Sequence, residues 1–301
     1  MSRAELQSFS HFISRYLPGK IQKISVNAGF TCPNRDGSKG TGGCIYCNNA
    51  SFSPDYTASR RSVSEQLEEG KSFFARKYPT MKYLAYFQSY TSTNGPTDAV
   101  IAMIEEALAV DGIEGIIIGT RPDCMPESLL CFLSELKERT FVMVEYGAET
   151  ANDATLRLIN RCHTWAETVD AASRTHAAGI PVGLHLILGL PGETVSDMMT
   201  TIDRVNALPV ATLKFHQLQI IAGTRLAREY ESAGWHIETF TPGSYADLCC
   251  DILRRLRPDI AVERFVSQSP DGLLISPRWG LKNYQFTEII RRRLADSKPS
   301  Q

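Results

Sequence analysis

Short runs of β-branched and apolar residues alternate along the chain with amphipathic stretches of 10 to 17 residues, starting near Ile21. This alternation is typical of repeated βα units that form a parallel sheet. It predicts six strands, at 21–26, 83–88, 115–120, 141–148, 181–188 and 212–218. It also predicts six helices, at 63–78, 97–109, 126–137, 164–178, 194–208 and 225–233.

The pattern changes after Pro242, where a helix at 244–257, a short strand near 262–267 and a terminal helix at 283–295 are expected. We therefore predict an α/β fold, a partial (β/α)6 TIM-like barrel with a core at about 20–235. A C-terminal α+β extension at about 236–301 is expected to close the open side of the barrel. The whole chain, 1–301, is interpreted as a single domain.

The composition agrees with a large buried core, since 43% of the 301 residues are hydrophobic. No apolar stretch of about 18 residues occurs and the first residues lack a hydrophobic signal core, so the sequence predicts neither membrane insertion nor secretion. A cytoplasmic location is expected. Disulfides are rare in that reducing compartment, which favours metal binding or catalysis as a use for some of the eight cysteines.

The charge is unevenly distributed, although the net charge is only −1. Residues 1–61 carry eight Lys/Arg against three Asp/Glu, and residues 251–301 carry ten against six. If the two ends are adjacent in the fold, they form a positive rim suited to a polyanion. Scattered, solvated charge is the alternative interpretation.

Three cysteines, Cys32, Cys44 and Cys47, follow the first predicted strand. Soft thiolates select iron–sulfur clusters or zinc, and the glycines between Cys32 and Cys44 allow the backbone to wrap an inorganic cluster. Three thiolates leave one iron of a four-iron cluster free for an external chelating ligand. A zinc site is the alternative, but it needs a fourth ligand, and the other cysteines supply no second Cys-x-x-Cys motif.

This segment resembles that of radical S-adenosylmethionine proteins of the bacterial YhcC type, which are related to the catalytic subunit of Elongator and more distantly to oxygen-independent coproporphyrinogen oxidase. The eleven residues between Cys32 and Cys44 depart from the usual Cys-x3-Cys-x2-Cys spacing and are similar to the stretched spacing of the Elongator group. The resemblance covers most of the chain. It implies a barrel of the radical SAM type, a [4Fe–4S] cluster on the three cysteines and S-adenosylmethionine on the free iron.

The resemblance also implies which residues contact the S-adenosylmethionine: Tyr46, Gln88, Ser89, Tyr90, Glu145, Glu149, Arg161 and His185. Tyr46 matches an aromatic residue near the adenine, and His185 a polar residue near the adenosine. Residues 88–90 stand where the family often has Gly-Gly-Glu, and a plain polar loop is the alternative for them. Glu145 and Glu149 point to one side of their strand and need a partner there, which is either the ribose, an ammonium group or Arg161. Arg161 matches the arginine that contacts the cofactor's carboxylate.

By resemblance, an external one-electron donor such as flavodoxin or ferredoxin reduces the cluster, and S-adenosylmethionine is cleaved to a 5′-deoxyadenosyl radical that abstracts hydrogen from the substrate. The Elongator likeness and the basic ends suggest tRNA as the substrate, at a wobble uridine side chain. The expected tRNA-facing residues belong to these ends: Arg60, Arg61, Arg254, Arg255, Arg257, Arg291, Arg292 and Arg293. The alternatives are a radical enzyme for a small metabolite or tetrapyrrole and a non-enzymatic, zinc-containing RNA-binding protein.

Overall fold

The computed structural model describes residues 6–57, 61–76, 80–232, 234–235, 237 and 239–296. The strands of the main sheet are β1 (Ile21–Val26), β2 (Lys82–Phe87), β3 (Ile113–Thr120), β4 (Phe141–Glu149), β5 (Val182–Leu188), β6 (Thr212–Gln217) and β8 (Ala261–Arg264). Two short strands, β7 (Ile220–Ile221) and β9 (Leu274–Ser276), form an antiparallel pair.

The helices of the described residues alternate with these strands. They are α1 (Phe9–Ile13), α2 (Val63–Ala75), α3 (Thr97–Leu108), α4 (Glu127–Leu136), α5 (Asp153–Leu158), α6 (Trp165–Ala177), α7 (Val195–Asn206), α8 (Arg225–Glu231), α9 (Pro242–Arg255) and α10 (Asn283–Asp296). Short 3-10 helices lie at Asn49–Ser51, Asp55–Thr57 and Pro122–Cys124.

The main sheet is parallel throughout and has the order β1-β2-β3-β4-β5-β6-β8. The six predicted strands and the α/β barrel class are confirmed. The sheet has a seventh strand, because the short strand expected in the C-terminal extension pairs with β6 as β8. Nearly every residue of β2 to β6 is buried, as expected for parallel strands covered by helices on one side and facing the barrel interior on the other.

The open side of the barrel lies between the edge strands β1 and β8. The N-terminal segment reaches β8, where the Val262 amide donates to the Gln7 carbonyl at 2.7 Å. Lys23 of β1 crosses the gap, with Nζ 2.5 Å from a carboxylate oxygen of Glu263. The N-terminal segment is therefore adjacent to β8, and the C-terminal extension contributes to the closing of the barrel, as predicted.

Helix starts agree with their local sequence. α6 and α7 begin with reciprocal capping boxes, Thr164 with Glu167 and Thr194 with Asp197, which satisfy otherwise unpaired amides. α2 ends at Ala75, and residues 77–79, where it was expected to continue, lie outside the described residues. Residue 233, the expected end of α8, also lies outside them. Among the helices of the described residues, none has the length and hydropathy needed to cross a bilayer.

Candidate active site

A cavity of about 230 Å3 opens at the carboxyl ends of the parallel strands. The cysteine loop after β1, the ends of β2 to β6 and β8, and residues 267–269 form its wall. The structure brings together ten of the eleven predicted site residues in this wall: Cys32, Cys44, Cys47, Tyr46, Gln88, Tyr90, Glu145, Glu149, Arg161 and His185. Ser89 is the exception, because it does not line the cavity and its Oγ lies 3.4 Å from that of Ser53.

The loop that carries the three cysteines is folded by tight turns. The amides of Arg35 and Asp36 donate to the Cys32 carbonyl at 2.7 and 3.1 Å, and the Cys47 amide donates to the Cys44 carbonyl at 3.0 Å. Gly43 has a φ of 75°, and a Cβ there would lie 2.9 Å from the Arg35 guanidinium carbon. The positive φ favours glycine at that position, whereas the Arg35 guanidinium is the flexible end of a side chain and could move away.

Asn34 fixes this loop to the turn that follows α5. Its side chain is fully buried, and its Nδ2 donates to the carbonyls of Asn160 and Arg161 at 2.7 and 3.0 Å. Asn160 returns two bonds, donating to the carbonyls of Thr41 and Gly43 at 3.0 and 2.8 Å. The cysteine loop and the segment that carries Arg161 are thus one hydrogen-bonded unit.

Cys44 is buried, Cys32 and Cys47 are partly buried, and cationic side chains lie nearby. Burial and the neighbouring Cys44 raise the pKa of Cys47 to about 11, against the opposing effect of Arg35. Nη1 of Arg161 lies 3.8 Å from the Cys44 sulfur, and Arg35 donates to the Cys47 carbonyl at 2.7 Å. A thiol of this kind loses its proton when a metal binds, because the metal then supplies the missing positive charge. The donor set therefore fits an iron–sulfur cluster.

Arg161 is buried between the thiols and β4. Its Nη2 donates to the Gly147 carbonyl at 2.6 Å and lies 3.3 Å from Glu149 Oε1. Burial opposes the charged form, but Glu149 and the nearby Tyr46 and Cys44 outweigh it and raise the pKa of Arg161. The Nε of Arg161 is buried without a hydrogen-bond partner.

Glu145 is the centre of a buried charge network. Its carboxylate accepts from Lys23 at 2.7 Å and from Tyr86, His185 and Lys214 at 2.8 Å each. Burial disfavours the carboxylate, yet Lys214 and Lys23 outweigh that cost and hold the pKa of Glu145 well below its usual range. The partner of this carboxylate is thus a pair of lysines and not Arg161. Its contact with a cofactor stays a prediction.

The remaining predicted residues line the cavity at different depths. Tyr46 is enclosed, and burial raises its pKa well above the usual value. Tyr90 has a left-handed backbone with φ 53° and a side chain that is 42% exposed at the cavity. Gln88 lies 3.2 Å from the Ser25 hydroxyl. Phe52, which was not predicted, also lines the cavity and is 38% exposed.

Several functional candidates escaped the sequence analysis. Arg121 is 1% exposed, forms a two-pronged ion pair with Asp123 at 2.9 Å, and keeps a buried Nη1 without a partner in the cavity wall. Its position directly after β3 was the available signal. Thr212, Lys214 and His216 occupy alternate positions of β6, with Leu213 and Phe215 between them, which indicates a polar stripe facing the interior.

Comparison with protein families gives two adjoining matches. Residues 31–205 match the model described as the Radical SAM superfamily, and residues 210–296 match the Radical_SAM C-terminal domain. The first match begins one residue before Cys32 and includes all three cysteines of the loop.

Curated relatives extend this likeness over almost the whole chain. The chain is 34% identical over 288 residues to YtqA of Bacillus subtilis (strain 168), covering 95% of this chain and 88% of YtqA. It is 35% identical over 275 residues to YhcC of Escherichia coli (strain K12), covering 90% of this chain and 86% of YhcC.

Among solved structures, the archaeal Elp3 of Methanocaldococcus infernus is similar with a TM-score of 0.67 and 13% identity. The similarity covers 93% of this chain and 64% of that chain, slightly less than two thirds of the solved protein. At this identity the likeness shows a shared fold.

Proposed function

The chain belongs to the radical S-adenosylmethionine superfamily, and from that membership we propose that it modifies a tRNA, at the side chain of a wobble uridine. It is a radical SAM enzyme of the YhcC type that uses a [4Fe–4S] cluster and S-adenosylmethionine. One-electron cleavage of S-adenosylmethionine and radical abstraction of a substrate hydrogen are the chemistry that these cofactors supply when bound. The enzyme needs an external reductant, for which we propose flavodoxin or ferredoxin in the cytoplasm.

The cysteine loop is proposed to hold the cluster through Cys32, Cys44 and Cys47. The observation that supports this is that the three cysteines line one cavity beside Arg161 and Arg35. In the part of the chain that the structure describes, no three His, Cys, Asp or Glu side chains are grouped around a position for a single metal ion. The thiols of a cluster bind different irons and need no such common point. With the family shown, the non-enzymatic zinc protein is no longer an alternative.

Two buried arginines are proposed to hold the negatively charged end of S-adenosylmethionine. Arg161 offers its free Nε, and Arg121 offers its free Nη1. Both guanidinium groups are held by carboxylates, Arg161 by Glu149 and Arg121 by Asp123, so their orientation is fixed before the ligand arrives. Charge-assisted hydrogen bonds from such pre-oriented groups bind and orient a carboxylate. Tyr46 closes the same side and excludes water.

The tRNA part of the proposal is carried by the two exposed aromatic rings of the cavity, Phe52 and Tyr90. Unpaired RNA bases are recognised by stacking on aromatic side chains, and a wobble base is such a base. The positive φ of Tyr90 is uncommon for a bulky residue. The surrounding structure must therefore maintain this backbone conformation, from which the ring projects.

The basic ends give weaker support. The N-terminal segment is adjacent to β8, but most of the arginines expected to face tRNA are engaged by acidic side chains: Arg61 by Glu69, Arg254 by Asp251, Arg255 by Asp203, Arg257 by Asp259, Arg292 by Glu288 and Arg293 by Asp247. Arg60 lies outside the described residues. Exposed ion pairs are weak, so phosphates are able to compete for these arginines. Their role stays a prediction.

The decisive experiment uses anaerobically reconstituted protein with reductant, S-adenosylmethionine and total tRNA. We expect tRNA to raise 5′-deoxyadenosine formation above the tRNA-free background and to yield a nucleoside of altered mass. The Cys44→Ala variant should show neither effect. If 5′-deoxyadenosine forms but tRNA neither binds nor changes its rate, the tRNA proposal fails and a small-molecule radical enzyme replaces it.

A further inference from the structure

Part of the cavity wall is built by the C-terminal extension. Arg264, Ser267, Gln268 and Ser269 line it there. Gln217 at the end of β6 pins this segment, because its amide group donates to the Ser267 carbonyl at 3.0 Å and accepts from the Ser267 amide at 2.7 Å. The extension thus supplies a fixed polar part of the cavity wall.

The charges near this wall do not balance. Lys23 and Lys214 are each paired with both Glu145 and Glu263, at 2.5 to 3.0 Å, so two positive and two negative charges cancel. Arg264 adds a third positive charge, and among the described residues no carboxylate lies within ion-pair distance of it. Its Nε is buried and has no hydrogen-bond partner. Arg264 as a whole is partly buried, and a negatively charged ligand in the cavity would supply the missing charge.

His216 adds a neutral donor beside Arg264. Nη2 of Arg264, which is only a donor, lies 3.0 Å from His216 Nδ1, and Ser267 Oγ lies 2.6 Å from the same nitrogen. Nη2 also lies 3.4 Å from His216 Nε2, so it is close to both ring nitrogens, and a neutral ring offers one N–H donor and one acceptor. Burial and then Arg264 lower the pKa of His216 well below its usual value, which keeps the ring neutral. Arg264 and His216 together present N–H groups in the cavity wall.

We propose that Arg264 and His216, oriented by Ser267, bind an oxyanion group of the substrate, either a phosphate or a carboxylate. An oxyanion accepts several hydrogen bonds at once and neutralises the unpaired guanidinium, which no uncharged group does. The site is distinct from the proposed cofactor carboxylate site, since the charged neighbours of Arg161 are Glu149 and the thiols. The inference rests on the proposed function, in which the oxyanion is a phosphate of the target nucleotide.

The test uses the reconstituted protein with S-adenosylmethionine and without reductant, so that no turnover occurs. Dissociation constants for uridine 5′-monophosphate, uridine and propionate are measured by isothermal titration calorimetry. We expect the wild type to bind the monophosphate at least about tenfold more tightly than uridine, and Arg264→Gln to lose that difference. The matched control is Arg278→Gln, which changes an exposed arginine outside the cavity wall and should retain it.

Cluster absorbance and S-adenosylmethionine affinity should be equal in all three proteins, which separates a lost contact from a failed fold. If propionate binding depends on Arg264 while monophosphate binding does not, the oxyanion site stands and the tRNA proposal fails. If the wild type binds neither anion in the millimolar range, or Arg264→Gln binds both as well as the wild type, the inference is overturned. In that last case the tRNA-dependent assay still decides the proposed function independently.

Discussion

The attachment of the cysteine loop to the turn after α5 allows a quantitative prediction for Asn34→Ala. The substitution removes the two hydrogen bonds to the carbonyls of Asn160 and Arg161, and also a weaker one to the Cys44 sulfur at 3.5 Å. Each net loss is worth about 1 kcal/mol, and more where the carbonyl stays dry. Removal of the Asn34 Oδ1, which has no partner, offsets part of that cost. We therefore expect a loss of about 1 to 3 kcal/mol in the free energy of unfolding.

The damage should be concentrated where the cluster binds. Asn206→Ala is the matched control. The Asn206 side chain also makes two hydrogen bonds to backbone, with the Arg255 carbonyl and the Arg257 amide at 2.9 Å each, and it lies outside the cavity wall. Urea denaturation of the cluster-free proteins compares the two losses. Iron retention under a chelator compares cluster binding, which should fall sharply only for Asn34→Ala. Equal iron retention in the two variants would refute the idea that this attachment positions the thiols.

Three further outcomes are expected. Alanine at any one of the three cluster cysteines should abolish the cluster, measured as iron and sulfide content. Alanine at the exposed Cys131 should leave the cluster intact. Stoichiometric zinc without iron in the wild type would contradict this prediction. Arg161→Ala should weaken S-adenosylmethionine binding at least about tenfold at unchanged cluster content. An unchanged dissociation constant would show that Arg161 has a structural role only. Glu145 has a lowered pKa in the fold, so its contribution to stability is present above about pH 4.3 and is lost as the pH falls towards its folded pKa. Glu145→Gln should flatten that acid limb in urea denaturation, and an acid limb as steep as that of the wild type would argue against the network.

The sheet and its helices were predictable because each βα unit is locally consistent. Apolar runs marked the strands, and the helices predicted from 164 and 194 begin one residue later as α6 and α7, where the structure shows capping boxes. β8 was harder, since it has only four residues and two of them, Glu263 and Arg264, are charged. The sequence of such a charged edge strand does not predict its pairing. The pairing is determined by the closing of the barrel. β7 and β9 have two and three residues, too few for any periodicity.

The cysteine loop was predictable because its three thiol ligands lie in one continuous segment of the sequence. The charge network was not, since Lys23 and Glu145 are 122 residues apart and meet only because the sheet curls. Alternation correctly placed Glu145 and Glu149 in one cavity wall, although the register shifts between Gly147 and Glu149 and the latter has φ 65°. Alternation identifies a shared side of a strand. It does not identify which of several cations in a barrel becomes the partner.

The curl of the sheet also explains why the C-terminal extension belongs to the active site. The β1 and β8 edges are joined through Lys23 and Glu263, and the same Lys23 binds Glu145 in the cavity wall. Removal of Glu263 would leave two lysines with the single carboxylate of Glu145, inside a barrel where an unpaired charge is costly. The position of β8 is therefore coupled to the charge balance of the cavity. Because Arg264 follows Glu263 directly, the contact that closes the barrel also fixes the residue proposed to receive the substrate's oxyanion.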